Sequence, residues 1–295
     1  MRQGFVKKEE FYQNTHHRVI VGELPRLILT MTSNLLRSAF YSAAAAIVMT
    51  MWLNATATAS LCTAASSPQR VAVLELYTSE GCDSCPPADL WVSGLPAKKL
   101  AVSRLIPLAF HVDYWNHLGW VDPYAQARFS DRQRQHSKRR GASFVFTPQL
   151  LLNGQDYRRG LLFDDIDGKV KTINQSKPLA DIKLTLNNNG STLDSRVETV
   201  VKNTGQQGAQ LYLALYENNL VTAVKAGENK GRTLKHDFVV RELVGPLALD
   251  ANGGARHQHA FQLDPHWKPQ DLKLAAFVQH PQSGDVLQAL AAACP

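Results

Sequence analysis

Cys82-Asp83-Ser84-Cys85 is the segment best equipped for chemistry. Two thiols three positions apart can exchange disulfides, hold half of a zinc site, or form a structural bridge. Zinc wants a second pair of Cys or His ligands at similar spacing. The chain has two other cysteines, Cys62 and Cys294, and no second C-x-x-C. Beyond the leader, His257-x-His259 is a close histidine pair, but it lies far along the chain, where a solvated strand face is the simpler reading. No metal and no cofactor are expected. If Cys82 pairs with Cys85, then Cys62 and Cys294 either join to each other or stay as free thiols near the chain ends.

The flanking residues say how the pair is held. Val71-Ala72-Val73-Leu74-Glu75-Leu76-Tyr77 is apolar and β-branched, the pattern of a buried strand. A loop follows, and then Pro86 to Leu95 reads as a helix. Two prolines fit only in a first turn, where backbone N–H groups have no intrahelical partner. With Ser84 as N-cap, the positive helix end faces the cysteines and favours a thiolate, the attacking species. Asp83 opposes that, because a carboxylate beside the sulfurs disfavours a second negative charge. Cys82 is the expected nucleophile and Cys85 the resolving thiol.

A second signal lies at Phe144-Val145-Phe146-Thr147-Pro148-Gln149-Leu150-Leu151-Leu152-Asn153-Gly154. Thr-Pro leads into an apolar strand, and Asn-Gly suits a type I′ hairpin with a partner strand over 156–162. Pro148 is either an ordinary trans turn proline or, as in thioredoxin-like folds and as expected here beside a C-x-x-C, a cis proline facing that pair, with Thr147 offering backbone groups to a substrate peptide. Leu105 to His111 reads as another strand, followed by a loop rich in aromatics. Asp113, Tyr114, Trp115 and Trp120 either line a groove beside the sulfurs, with Asp113 as a proton acceptor for Cys85, or pack that loop onto the core. Pro123 to Arg140 reads as a helix with a solvated basic face carrying Arg128, Arg132, Arg134, Lys138, Arg139 and Arg140. Phe163 to Ser176 reads as a further helix.

Glu75-Leu76-Tyr77-Thr78-Ser79-Glu80-Gly81-Cys82-Asp83-Ser84-Cys85-Pro86-Pro87-Ala88-Asp89 resembles the signature of a secreted thioredoxin-like family catalogued as domain of unknown function 1223. His111-Val112-Asp113-Tyr114-Trp115, Thr147-Pro148-Gln149, Gly227-Glu228-Asn229 with Gly231, and Val239-Val240-Arg241 fit it as well. The resemblance runs from about residue 70 to 290. It implies a thioredoxin-like fold and an exported protein, and no known substrate. Glu80 and Asp83 depart from the family pattern by adding negative charge beside the sulfurs.

The rest of the chain bounds the reading. With 295 residues, 44% apolar and 19% charged, it can build a sizeable core and is neither disordered nor fibrous. The formal charge of +7 falls partly in the leader, and basic residues are not interleaved with aromatics, so nucleic acid is not an expected partner. Phe40 to Leu53 is a short apolar stretch after Arg37 and before Ala55-Thr56-Ala57-Thr58-Ala59, the pattern of a secretory signal peptide. Translation from Met31 would give that signal an ordinary length. After cleavage no membrane span remains. Export to a periplasm or beyond gives oxidising surroundings.

After Ser176-Lys177-Pro178 the pattern changes to short alternating strands between Asn-, Gly- and Asp-rich turns. The expected fold class is an α/β thioredoxin-like domain with a helical insert, followed by an all-β, immunoglobulin-like sandwich. The expected domains are a leader and signal over 1–59, the thioredoxin-like domain over 68–177 and the sandwich over 178–295. Two functions fit. One is a thiol–disulfide oxidoreductase acting on exported protein thiols or disulfides, or on a redox partner protein. The other is a non-catalytic binding or scaffold protein with a structural disulfide.

Overall fold

The computed structural model describes residues 60–157, 164–202, 204–206 and 208–294. The signal peptide expected in 1–59 lies outside the described residues. In chain order the elements are β1 (Ser60–Ala65), β2 (Ala72–Thr78), α1 (Pro86–Ser93), β3 (Leu105–His111), α2 (Ala127–Arg139), β4 (Gln149–Leu152), β5 (Gln155–Asp156) and α3 (Ile166–Gln175). Then follow β6 (Ala180–Asn188), β7 (Thr192–Val201), β8 (Gln210–Glu217), β9 (Leu220–Ala223), β10 (Thr233–His236), β11 (Val239–Ala248), β12 (Gly254–Gln262), β13 (Leu272–Gln279) and β14 (Val286–Ala292).

Eight strands form one mixed sheet in the order β14-β13-β8-β11-β3-β2-β4-β5. β2 and β11 run parallel to β3, and the other neighbours are antiparallel. β1-β6-β7-β12 is a second, antiparallel sheet, and β9 and β10 pair as a hairpin of their own. This overturns the expected fold class. Strands dominate, and the α/β thioredoxin-like unit with a helical insert followed by its own immunoglobulin-like sandwich is not what forms. Strands from either side of Ser176-Lys177-Pro178 share a single sheet. The join is the parallel contact of β11 with β3, where Ala109 N donates to Phe238 O at 2.8 Å. Apolar alternation identifies strands one by one. It does not name their partners, which non-local packing selects.

β8 explains how one sheet serves two cores. Alternate side chains point to opposite faces. Leu211, Leu213 and Leu215 pack with Leu184, Leu186 and Val197 of the smaller sheet. Tyr212, Ala214 and Tyr216 pack into the other core, with Leu74, Phe110 and Phe129 of α2. β2 and β3 are buried along their whole length, as paired parallel strands with both faces covered must be.

The basic run of α2 is not all solvated, contrary to expectation. Arg132 is buried and donates to both oxygens of Glu75 on β2, at 2.9 and 2.8 Å, and to Gln279 Oε1 on β13 at 3.0 Å. Its guanidinium also lies over the rings of Tyr212, Phe277 and Phe110. One side chain thus ties both halves of the large sheet to a helix.

The Asn153-Gly154 turn forms as expected, with φ of 52° and 77°. A Cβ on Gly154 would stand 1.9 Å from Gly284 O, so only glycine fits. Of the partner strand expected over 156–162, β5 supplies Gln155–Asp156, and residues 158–163 lie outside the described residues. Cys62 and Cys294 are bonded to each other across a separation of 232 residues, which restricts the unfolded chain.

Candidate functional site

Cys82 and Cys85 are also a disulfide. They lie in the turn between β2 and α1, and both are fully buried, while Asp83 and Ser84 between them are exposed. The N-cap of α1 is Cys85, not the expected Ser84, and no side chain caps it. Ser84 Oγ instead lies 3.4 Å from Cys82 Sγ. Pro86 and Pro87 fill the first helical turn, so its first intrahelical bonds run from Ala88 N and Asp89 N to Cys85 O, at 2.9 and 3.1 Å. Cys85 has helical backbone angles, and Asp89 follows at i+4 on the same face of α1. Both are buried there.

The aromatic loop reaches this turn through Trp115. A Cβ on Gly81 would meet Trp115 Cβ at 3.0 Å, so the loop packs directly against the residue before Cys82. Trp115 Nε1 donates to Thr147 Oγ1 at 2.7 Å, and the Thr147–Pro148 peptide bond is cis. Contacts thus run from Gly81 through Trp115 to Thr147, the residue before cis Pro148. Trp120 joins from another side, its Nε1 donating to Glu80 Oε2 at 2.9 Å. Tyr114 donates to Gln133 Oε1 at 3.1 Å, with Thr147 also beside its hydroxyl, and burial pushes that hydroxyl up to about 12. Asp113 takes the packing role. Its carboxylate accepts from Ser130 on α2, and its N–H donates to Ser130 Oγ.

Around the cysteine turn lies a buried polar cluster whose mutual contacts no local sequence pattern announces. Glu80 accepts from Trp120 and lies 3.0 Å from His236 Nε2 of β10. His111 Nδ1 lies 2.7 Å from Asp122 Oδ2, which also accepts from Glu80 N at 2.8 Å. The His111 and His236 rings meet edge to face at 5.0 Å. Asp89 accepts from Thr78 Oγ1 at 3.2 Å, with His236 Nδ1 3.9 Å away. Burial opposes charge on both His111 and Asp122, but their mutual attraction outweighs it. The imidazole is held above its ordinary value and the carboxyl below.

Asp89 behaves differently. Burial raises its pKa, and the attraction of His236 and then His111 only partly offsets this. An acid with a raised native pKa holds its proton longer when folded than when unfolded. Stability then falls as pH rises from the unfolded carboxylate value through the raised native one. Asp89→Asn is therefore expected to be more stable than the parent at neutral pH and to lose that decline. Urea unfolding from pH 3 to 8 checks both.

The last part of the site comes from the turn between β9 and β10. Asn229, fully buried, donates from Nδ2 to Glu80 O at 2.8 Å and to Cys82 O at 2.9 Å. Glu228 Oε2 accepts from Asp83 N at 3.1 Å. Gly227 allows the approach, because a Cβ there would meet Trp120 Cβ at 3.0 Å. In the sequence the Gly227-Glu228-Asn229 segment stands out as a glycine-flanked turn and as part of the family resemblance, but not as a contact to Cys82. The other histidine pair serves elsewhere, with His259 Nε2 2.9 Å from Glu242 Oε1.

The family described as Protein of unknown function (DUF1223) matches over residues 73–279. No curated protein matches the sequence. Among solved structures, the chain is similar to an X-ray crystal structure of an Agrobacterium tumefaciens protein determined as a structural-genomics target. That match has a TM-score of 0.56 and 23% identity, over 77% of this chain and 96% of that one. It is also similar to HBP35 of Porphyromonas gingivalis, with a TM-score of 0.61 and 16% identity, over 78% of this chain and 76% of that one. At these identities the likeness is one of fold.

Proposed function

The chain belongs to the family of unknown function DUF1223, and we propose that it is an exported thiol–disulfide exchange protein whose working bond is Cys82–Cys85. The observation that carries this reading is the placement of Cys85. It stands uncapped at the start of α1, and buried Asp89 follows one turn along the same face. A helix N-terminus stabilises a thiolate. A buried carboxyl with a raised pKa can exchange a proton with it.

The oxidised protein would act on a dithiol in three steps. A substrate thiolate attacks Cys82 Sγ, the Cys82–Cys85 bond breaks, and its electron pair leaves on Cys85 Sγ. Asp89 supplies the proton that Cys85 takes up. A mixed disulfide now joins substrate to Cys82. The second substrate thiolate attacks the substrate sulfur of that bond and releases Cys82 as a thiolate. The substrate ends oxidised and the pair reduced. Run backwards, the same steps reduce a substrate disulfide. Exported proteins carry such thiols, and two disulfides in this chain are compatible with an oxidising compartment.

A second reading, a non-catalytic binding or scaffold protein with a structural bridge, is favoured by the complete burial of both cysteines. One experiment separates the two. The oxidised protein is mixed with a reduced peptide carrying two cysteines, and both partners are followed by alkylation and mass spectrometry. Exchange predicts that the peptide becomes oxidised as Cys82 and Cys85 become reduced in equal amount. A peptide that stays reduced beside an intact Cys82–Cys85 bond contradicts it.

A further inference from the structure

We infer that the β9–β10 hairpin is a lid over the Cys82–Cys85 disulfide, hinged at Asn219 and Phe238 and latched by Asn229. Its functional meaning rests on the exchange reading, since only an exchanging bond needs uncovering. A thiolate must reach a sulfur to attack it, and the closed structure buries both cysteines. Some element against the motif therefore has to move.

The hairpin has the features of that element. It is a two-stranded sheet of its own, bonded into neither larger sheet. Its buried apolar side chains, Leu220, Val224 and Leu234, belong to neither core cluster. Segments with few ties to the core open at low cost. At its base the chain takes left-handed backbone angles on both sides, with φ of 56° at Asn219 and 59° at Phe238. For a side chain as bulky as phenylalanine this is a rare and costly conformation. Just past that point the chain is fixed to the large sheet, where Phe238 O accepts from Ala109 N.

Polar contacts tie the hairpin to the cysteine turn, beside the ring packing of His236 on His111 and Tyr124. Asn229 grips the carbonyls of Glu80 and Cys82, Glu228 accepts from Asp83 N, and His236 meets Glu80. Tyr124 and Thr222 share a further hydroxyl contact at 3.0 Å. These are side-chain contacts that can be released without unfolding either core.

The test is the rate at which dithiothreitol reduces each disulfide of the full-length oxidised protein, read by alkylation and mass spectrometry. Asn229→Ala removes two hydrogen bonds to buried carbonyls and should speed reduction of Cys82–Cys85 about tenfold or more. Glu228→Ala changes an exposed residue, carries the test should the first variant fail to fold, and should speed it about threefold. Reduction of Cys62–Cys294 should stay unchanged in both. Unchanged Cys82–Cys85 rates in the variant or variants that fold, or equal acceleration of the two disulfides, would overturn the lid. The dithiol-peptide assay judges the exchange reading separately. A lid that loosens while no variant oxidises the peptide leaves the lid standing over a structural bridge. Peptide oxidation with rates indifferent to Asn229 and Glu228 leaves exchange standing without a lid.

Discussion

Cys82→Ser and Cys85→Ala both reduce oxidation of a dithiol peptide to the uncatalysed background, but with a peptide disulfide Cys85→Ala alone ends with peptide covalently attached to Cys82, the peptide's other sulfur leaving as a thiolate. The asymmetry follows from geometry. Cys82 sits in the turn ahead of α1, beside the exposed Asp83 and Ser84. Cys85 is part of the helix backbone and shares its buried face with Asp89. An incoming thiolate therefore meets Cys82, and Cys85 is the sulfur that leaves. A serine hydroxyl can neither form nor leave a disulfide, so Cys82→Ser has no partial activity to retain. Without Cys85 the single thiol at Cys82 can accept a mixed disulfide from an activated peptide but has no internal partner to resolve it. Intact-mass measurement after mixing with a peptide disulfide distinguishes these outcomes. Equal trapping on Cys82 and Cys85 in the reciprocal variants would contradict the assigned roles.

The largest loss of stability should come from Arg132. Removing one partner of a buried, hydrogen-bonded ion pair typically costs about 3–5 kcal/mol, because the other charge is left without compensation. Arg132→Ala would strand Glu75, a fully buried carboxylate whose remaining donor is Tyr77 at 2.7 Å. It would also remove a side chain packed over three aromatic rings. Arg132→Met, which keeps the volume, should recover only the packing share. Paired replacement of Glu75 and Arg132 by apolar residues should cost much less than either single change. Chemical denaturation of the parent, the single variants and the paired variant checks this.

The same cluster sets the response to acid. Burial alone would raise Glu75, but the guanidinium of Arg132 prevails and holds it down at about 2. Its contribution is complete above the ordinary carboxylate value and is lost as pH falls toward 2. Burial drives His136, 3.7 Å from Glu75, down to about 3, so the imidazole is neutral in the folded protein. An unfolded histidine takes up its proton near 6.5, so stability also falls from there down to about 3. Both terms have the same sign. Both weaken the fold as pH falls below about 6.5, against the opposite contribution of Asp89, and His136→Gln should remove the part lost over the upper range.

The local parts of the site were legible in the sequence. The strand before Cys82, the two prolines after Cys85, the Thr-Pro before an apolar strand and the Asn-Gly turn each state their structure within a few residues. What escaped depends on distant partners. Glu80 meets His236, and Cys82 meets Asn229, across about 150 positions, and no local pattern announces either contact. Arg132 reads as one more charge on a basic helix because its partners, Glu75 and Gln279, lie on two different strands. The buried face of α2 includes Ser130, Gln133, His136 and Ser137 beside Phe129, so apolar periodicity could not find it. The pairing of the large sheet is hidden for a related reason. β11 joins β3 through a short parallel contact, and nothing in either strand's own sequence specifies that neighbour.

The reduction potential of Cys82–Cys85 in the full-length protein, measured by equilibration with glutathione and dithiothreitol buffers, tests exchange most directly. Working exchange proteins span about −120 to −270 mV, and the account predicts a value in that range. A value below about −300 mV is that of a structural bridge and would contradict it.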